Sequence, residues 1–299
     1  MSSAADAVGD GPQPRRGSPL SPATNPVMNH RSLVFDLFGG YVRYDGGGIA
    51  LRDLAAVAEP FGVSADALRV VMSRLRREGW FDVSRSGGRA RYEATDRTWA
   101  LLDEGYERIF VAREEPWSGE WHVVIYEVSE SERAAREQLR RELAWLGFGP
   151  LAASTWLSPH DRLDAVLEWA ADQPSVRIVT LIARSRGVAH DREYAARCWD
   201  LAAIQRDYLS FLRQYGSAEA TAAWRAATGT DALVRRVRLA HDYRLFLFRD
   251  PRLPAHLLPP DWPAQRARDL FTEAYGHLEA EAVSAYRRLT GTVRVETST

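Results

Sequence analysis

The chain has 299 residues with 39 Lys+Arg against 40 Asp+Glu, and its formal net charge of -1 excludes a protein that coats nucleic acid by uniform positive charge. With 45% hydrophobic and 26% charged residues it has the composition of an ordinary folded chain, long enough for two or three domains of about 100 to 150 residues each. All 39 cations are arginine, so any nucleic-acid contact has to come from a local cluster of them.

A single cysteine, Cys198, cannot close an intramolecular disulfide, and the seven histidines fall into no HxxxH or CxxC pattern. A reducing cytoplasm is therefore expected, with no metal and no resident cofactor. Residues 1–25 carry Pro12, Pro14, Pro19 and Pro22 without an apolar h-region, which predicts a disordered tail rather than a signal peptide. No run approaches the roughly 20 apolar residues of a membrane helix, so no membrane partner is expected.

Residues 26–113 follow the order helix, helix, helix, hairpin, helix. Leu33, Val34, Leu37 and Phe38 form one apolar stripe; Leu51, Leu54 and Ala58 form a second that stops at Pro60 and Gly62. Ser64 is placed to cap a third helix, in which Leu68, Val71, Met72 and Leu75 share one face and Gly79 ends the run. Residues 80–85 and 89–94 flank Ser86-Gly87-Gly88, a link suited to a tight hairpin turn, and Thr95 is expected to cap a fourth helix to about Phe110.

This is the order of a winged helix-turn-helix, and the charge agrees with it. From Arg69 to Arg91 there are seven arginines against Glu78 and Asp82, a local excess of five. At 100° per residue Asp66, Arg69, Val70, Ser73 and Arg77 point away from the apolar stripe, with Arg74 beside them. We therefore assign DNA binding to Arg69, Ser73, Arg74 and Arg77 on the helix and to Arg85, Arg89 and Arg91 on the hairpin, with double-stranded DNA as the partner.

Residues 114–186 read as strand, helix, strand, helix, strand. Trp121 to Val128 is apolar on both faces, as a central strand is, and Ser129 with Glu132 spells a capping box ahead of Leu139, Leu143 and Leu146. A second strand is expected over Leu151 to Leu157, and Ser158 and Pro159 are expected to open a helix carrying Leu163, Val166, Leu167 and Ala170. A third, buried strand is expected over Val176 to Ala183. The order suggests a ferredoxin-like sandwich in which one strand is not distinct. Residues 187–299 read as helical and aromatic. Trp199, Leu201, Tyr208, Phe211 and Leu212 mark one helix, and Leu233, Val237, His241, Leu245 and Phe248 another. Five prolines between Asp250 and Pro263 forbid regular structure there.

Enzyme motifs are weak. Gly147-Phe148-Gly149-Pro150-Leu151-Ala152 fits G-x-G-x-x-A but follows a helix and precedes a strand, the reverse of a dinucleotide-binding turn. There is no G-x-S-x-G, Walker loop or H-E-x-x-H. Cys198 beside Trp199 behaves as a small hydrophobe. Glu127, Glu130 and Glu132 near a helix start offer carboxylates for a two-metal nuclease, but the helix dipole already accounts for them.

Ser32-Leu33-Val34-Phe35-Asp36-Leu37-Phe38-Gly39 with Tyr41-Val42-Arg43, then Arg69 through Trp80, resemble the opening of PaaX-type repressors, negative regulators of phenylacetic acid degradation operons. Trp145 to Pro150, His241-Asp242-Tyr243-Arg244, and Asp250 to Pro254 with Leu257-Leu258-Pro259 and Asp261-Trp262-Pro263 resemble the family's later blocks in the right order. The resemblance covers about residues 26–289. It implies an α+β fold with an N-terminal winged helix, a middle ferredoxin-like domain similar to Cas2 that serves dimerisation, and a C-terminal α-helical domain.

The resemblance also implies function: a homodimeric repressor, not an enzyme, that holds operator DNA and releases it on binding phenylacetyl-CoA or a similar aryl-CoA thioester, in control of aromatic acid catabolism. The effector is expected where the middle and C-terminal domains meet, near Trp199, Tyr243, Arg244 and Trp262, with Arg235, Arg236, Arg238 and Arg244 available to CoA phosphates. The alternative reading is a metal-dependent nuclease built on the ferredoxin-like domain, or an acyl-CoA hydrolase.

Overall fold

A computed structural model describes residues 28–86, 89–111, 117–247 and 249–291; the expected N-terminal tail, the glycines of the hairpin turn and Phe248 lie outside them. The first part comprises α1 (His30–Gly40), β1 (Gly48–Ala50), α2 (Leu51–Ala58), α3 (Ala65–Arg77), β2 (Phe81–Ser86), β3 (Arg89–Ala94) and α4 (Asp96–Tyr106), the last running into a π-helical turn over Glu107–Val111. Local chemistry explains the boundaries. Asn29 accepts from the Ser32 N–H at 2.8 Å and Ser64 accepts from the Ala67 N–H at 3.2 Å, so two helices start on side-chain caps. Gly79 leaves α3 at φ 74°, a conformation glycine adopts without penalty. Leu68, Met72 and Leu75 are the buried residues of α3 and set which face turns outward.

Strand β1, silent in the sequence, pairs with β3 in a three-stranded sheet of order β1-β3-β2. Thr95 precedes α4 without a side-chain cap to it; its hydroxyl donates instead to the Gly79 and Trp80 carbonyls, both at 3.1 Å, tying α4 to the end of α3.

The middle part comprises β4 (Trp121–Val128), α5 (Arg133–Trp145), β5 (Gly149–Ala152), β6 (Thr155–Ser158), α6 (Leu163–Ala171) and β7 (Val176–Ala183). Its sheet runs β5-β6-β4-β7 with antiparallel neighbours, the ferredoxin-like order. The missing strand is β5: the expected single strand over Leu151 to Leu157 is a hairpin that turns at Ala153 and Ser154, where Tyr126 donates its hydroxyl to the Ala153 carbonyl at 3.0 Å. Pro150, with no N–H to give, sits on this edge strand.

Three further expectations are corrected. Ser129 and Glu132 form no capping box; the Ser129 hydroxyl pairs with Ser131, its carbonyl accepts from the Glu132 N–H at 3.0 Å, and α5 begins after this turn. Ser158 is the buried last residue of β6, and its hydroxyl accepts from the His160 N–H at 3.1 Å, so α6 opens later, at Leu163. Strand β7 is a bare edge rather than a buried strand, with Val179 56%, Leu181 49% and Ile182 60% exposed.

The last part is helical: α7 (Val188–Cys198), α8 (Leu201–Gly216), α9 (Ala218–Arg225), α10 (Gly229–Leu247), α11 (Ala264–His277) and α12 (Glu279–Thr290). Trp199 and Asp200 link α7 to α8, so Trp199 stands outside the helix the sequence assigned it; Asp200 turns the chain and caps α8 by accepting from the Ala203 N–H at 2.9 Å. The proline-rich segment carries one 3-10 turn, at Ala255–Leu257.

Among the described residues there are three apolar cores, two of which join these parts. One lies between the ferredoxin-like sheet and α5 and α6, through Val124, Tyr126, Leu139, Leu143, Val166 and Trp169. The opposite sheet face sends Trp121, Val123 and Leu157 into the core of the helical part, and the Trp121 indole N–H donates to the buried Asp191 carboxylate at 2.7 Å. The winged-helix core admits Leu233 and Val237 of α10 and Ala282, Ala285 and Tyr286 of α12. The helical part is therefore the hub on which both other parts are seated.

Candidate functional site

The outward face of α3 is the first site. Arg69, Val70, Ser73, Arg74 and Arg77 are all exposed, as are Asp66 and Arg76. Arg69 pairs with Asp66 one turn back, and Arg74 pairs with Glu78 at 2.9 Å. Burial pushes the Glu78 carboxyl up, but hydrogen bonds from Arg31 and Arg74 outweigh it and hold it below the usual carboxylate range. Ser73 and Arg77 are exposed on the same face, and among the described residues neither is paired with a carboxylate. Of the hairpin arginines, Arg85 is exposed on β2, Arg89 begins β3, and Arg91 is half-buried with its guanidinium donating to the Gly48 carbonyl of β1. Arg91 thus ties the central strand β3 to the edge strand β1.

The second feature is a buried ionic joint between α1 and α10. Arg244 Nη1 lies 3.0 Å from Asp36 Oδ1, His241 Nδ1 lies 2.8 Å from Asp36 Oδ2, and the three side chains are 5%, 4% and 10% exposed. Beside it Arg236 donates to the Tyr275 carbonyl at 3.1 Å and sits 3.7 Å from that ring, within reach of Tyr41 on the winged-helix side. Arg235 pairs with Asp231 at 2.7 Å and Arg238 is exposed. The arginines expected at CoA phosphates therefore stand at this joint or on the outer surface of α10.

The third feature is a cleft of about 1930 Å³ between the middle part, the π-helical turn after α4 and the helical part. Trp199, Tyr243 and Trp262 line it together with Tyr208; Arg244 does not share that wall. Tyr243 is stacked on Phe271 at 4.1 Å and 6°, and burial pushes its phenol up to about 12. The cations here are Arg108, Arg162, Arg249, Arg252 and Arg268, none of them on α10. Burial lowers Arg108 from its ordinary value, and burial with the nearby charge of Arg108 lowers Arg252, to which Arg162 and Arg268 add. Crowded cations of this kind are relieved by a multivalent anion. Asp250, half-buried and with its carboxyl raised by desolvation, accepts from the Tyr208 hydroxyl and from the Arg252 N–H at 2.7 Å, next to the left-handed backbone of Arg252 at φ 49°.

The sequence offered a weak signal for this group, because its members come from four distant segments that meet only in the fold. The remaining candidates behave as apolar or structural residues. Burial pushes the Cys198 thiol up to about 12, away from the thiolate a nucleophile needs. Among the described residues no group of three or more His, Cys, Asp or Glu is placed to hold a metal ion, and no helix is long and apolar enough to cross a membrane.

Comparison with known proteins agrees with this architecture in three consecutive blocks. Residues 29–98 match the family described as PaaX-like protein, residues 114–195 the PaaX protein central Cas2-like domain, and residues 199–288 the PaaX-like protein C-terminal domain. The chain is 30% identical over 278 residues to the transcriptional repressor PaaX of Escherichia coli, covering 88% of this chain and 84% of that one. It is also similar to a solved structure, the uncharacterized protein Rv0674 from Mycobacterium tuberculosis, at 27% identity and a TM-score of 0.59, covering 87% of this chain and all of that one. Matched along nearly its whole described length, and in the same order of domains, the chain belongs to the PaaX family.

Proposed function

We propose that this protein is a ligand-responsive transcriptional repressor rather than an enzyme. It acts in the cytoplasm as a homodimer that holds operator DNA through α3 and the β2–β3 wing, and it is released by an aryl-CoA thioester, phenylacetyl-CoA or a close relative, in control of aromatic acid catabolism. The observation that carries this reading is that α10 belongs to two places at once. One face enters the winged-helix core through Leu233 and Val237 and the joint at Asp36, while Tyr243 and the segment that follows the helix line the arginine-walled cleft. A ligand held beside Tyr243 by Arg249 and Arg252 acts on the helix that also packs against the winged helix, and it shifts the DNA-binding face only by its preference for one arrangement over the other.

The DNA reading is supported by the exposed arginines of α3 and by the name of the Escherichia coli relative. The effector reading is supported by the pairing of an aromatic wall, suited to an aryl group, with cations suited to CoA phosphates. The dimer is supported by β7, a bare strand edge flanked by apolar side chains, which soluble proteins rarely leave uncovered. Two half-sites should then be required, with centres about 10 base pairs or a multiple apart.

A gel-shift titration on the DNA upstream of the protein's own gene tests the reading. The full chain should bind it specifically, and Arg69→Ala with Arg74→Ala and Arg77→Ala should lose that binding; unchanged affinity in the triple variant would overturn the assignment of α3. Thioester hydrolysis by the purified chain would favour an enzyme.

A further inference from the structure

Val70 stands on α3 where a DNA-reading helix has least use for an apolar group, unless the groove offers one. It is 69% exposed and contributes nothing to the winged-helix core, which α3 joins through Leu68, Met72 and Leu75. At 3.6 residues per turn, positions 66, 70, 73 and 77 fall within about 60° of one another, while 69 and 74 lie to either side. The middle of the outward face therefore reads Asp66, Val70, Ser73, Arg77, and the two flanking arginines are each already held by a carboxylate, Arg69 by Asp66 and Arg74 by Glu78.

Flanking cations are suited to the phosphates on the two walls of a groove, and the middle row to its floor. On that floor a serine hydroxyl and an arginine can hydrogen-bond base edges, but a valine can neither donate nor accept. The major groove of B-DNA presents one apolar group, the C5 methyl of thymine.

We propose that Val70 is a specificity-determining residue that selects a thymine in each operator half-site by packing its methyl groups against the thymine C5 methyl. The inference rests on the DNA-binding reading above. A 5-methylcytosine at the same place carries the same methyl and satisfies the same contact.

The test starts from duplexes selected by the full chain out of a random-sequence pool. In the selected site each thymine is replaced in turn by uracil, which keeps the base pair and removes the methyl. One thymine per half-site should show about fourfold weaker binding on this exchange, the value of one buried methyl group. In Val70→Ala, which keeps only the shorter β-carbon, the same exchange should have a clearly smaller effect, and Val70→Thr, which keeps one γ-methyl, should retain more of the discrimination. Uracil exchange that acts equally on the wild-type chain and Val70→Ala at every position would overturn the proposal, as would a selected consensus that Val70→Ala leaves unaltered. Failure to select any sequence would instead count against the DNA-binding reading itself. Val70 is exposed and alanine is the better helix former, so Val70→Ala should fold as the parent does, which its thermal transition verifies.

Discussion

At Gly149 a Cβ would stand 2.6 Å from the Trp199 ring and 2.9 Å from the Cys198 carbonyl oxygen, so the backbone there is as close to the helical part as it can come. Gly149→Ala should destabilise the chain by about 1 to 3 kcal/mol through overpacking, read by urea denaturation, and should also disturb the Trp199 side of the cleft. Arg252 tests charge instead of size: Arg252→Ala should weaken CoA binding by about tenfold or more, as for the loss of one charge-assisted hydrogen bond, and leave DNA binding without ligand unchanged. Calorimetry and a gel shift measure the two separately. His160, whose Nε2 lies 3.0 Å from the Pro251 carbonyl, is lowered from its ordinary 6.5 by burial, with Arg252 and Arg162 adding to that. A histidine depressed in the fold contributes stability above its unfolded value and loses it as pH falls. Acidification from about pH 7.5 to 5.5 should therefore cost the wild-type chain more stability than it costs His160→Asn, and equal losses would show that this group does not titrate as described.

Helix α10 is the element on which the account turns, because its charges are buried against another part of the chain. Asp36→Ala leaves Arg244 and His241 without their carboxylate and should destabilise the chain by about 3 to 5 kcal/mol, whereas replacing Asp36 and Arg244 together by apolar residues of similar volume should recover most of that. A thermal melt of the single and double variants decides between an ion pair that is costly to break and one with little effect. Elements of this kind also show where sequence reasoning stops. The winged helix was legible because Ser64, the Leu68, Met72 and Leu75 spacing, and Gly79 each act locally. The joint was not, since Asp36 and Arg244 are 208 positions apart and periodicity carries no information across that distance. The hairpin of β5 and β6 looks like one strand in the sequence because its turn, Ala153 and Ser154, holds neither glycine nor proline. Trp199, Tyr243 and Trp262 share the cleft, but the arginines beside them come not from α10, where the sequence points, but from four separate segments, as Arg108, Arg162, Arg252 and Arg268.

In the whole molecule the winged helix is not a tethered module, since its core is completed by α10 and α12. Truncating the chain before α10 should therefore leave the DNA-binding part poorly folded, and ligand studies belong on the full chain. The other exposed feature at this scale is β7. Leu181→Arg with Ile182→Glu should yield a monomer by light scattering at micromolar concentration and weaken binding to a two-half-site operator far more than to a single half-site. The most direct measurement of the central claim is a release titration: the preformed complex with the upstream DNA, followed by fluorescence anisotropy while phenylacetyl-CoA, free CoA or phenylacetate is added. Phenylacetyl-CoA should dissociate the complex, phenylacetate should do so far less, and Arg252→Ala should shift the midpoint to higher ligand concentration. A complex that withstands a saturating excess of each ligand, or that phenylacetate releases as readily as the thioester, would contradict the claim.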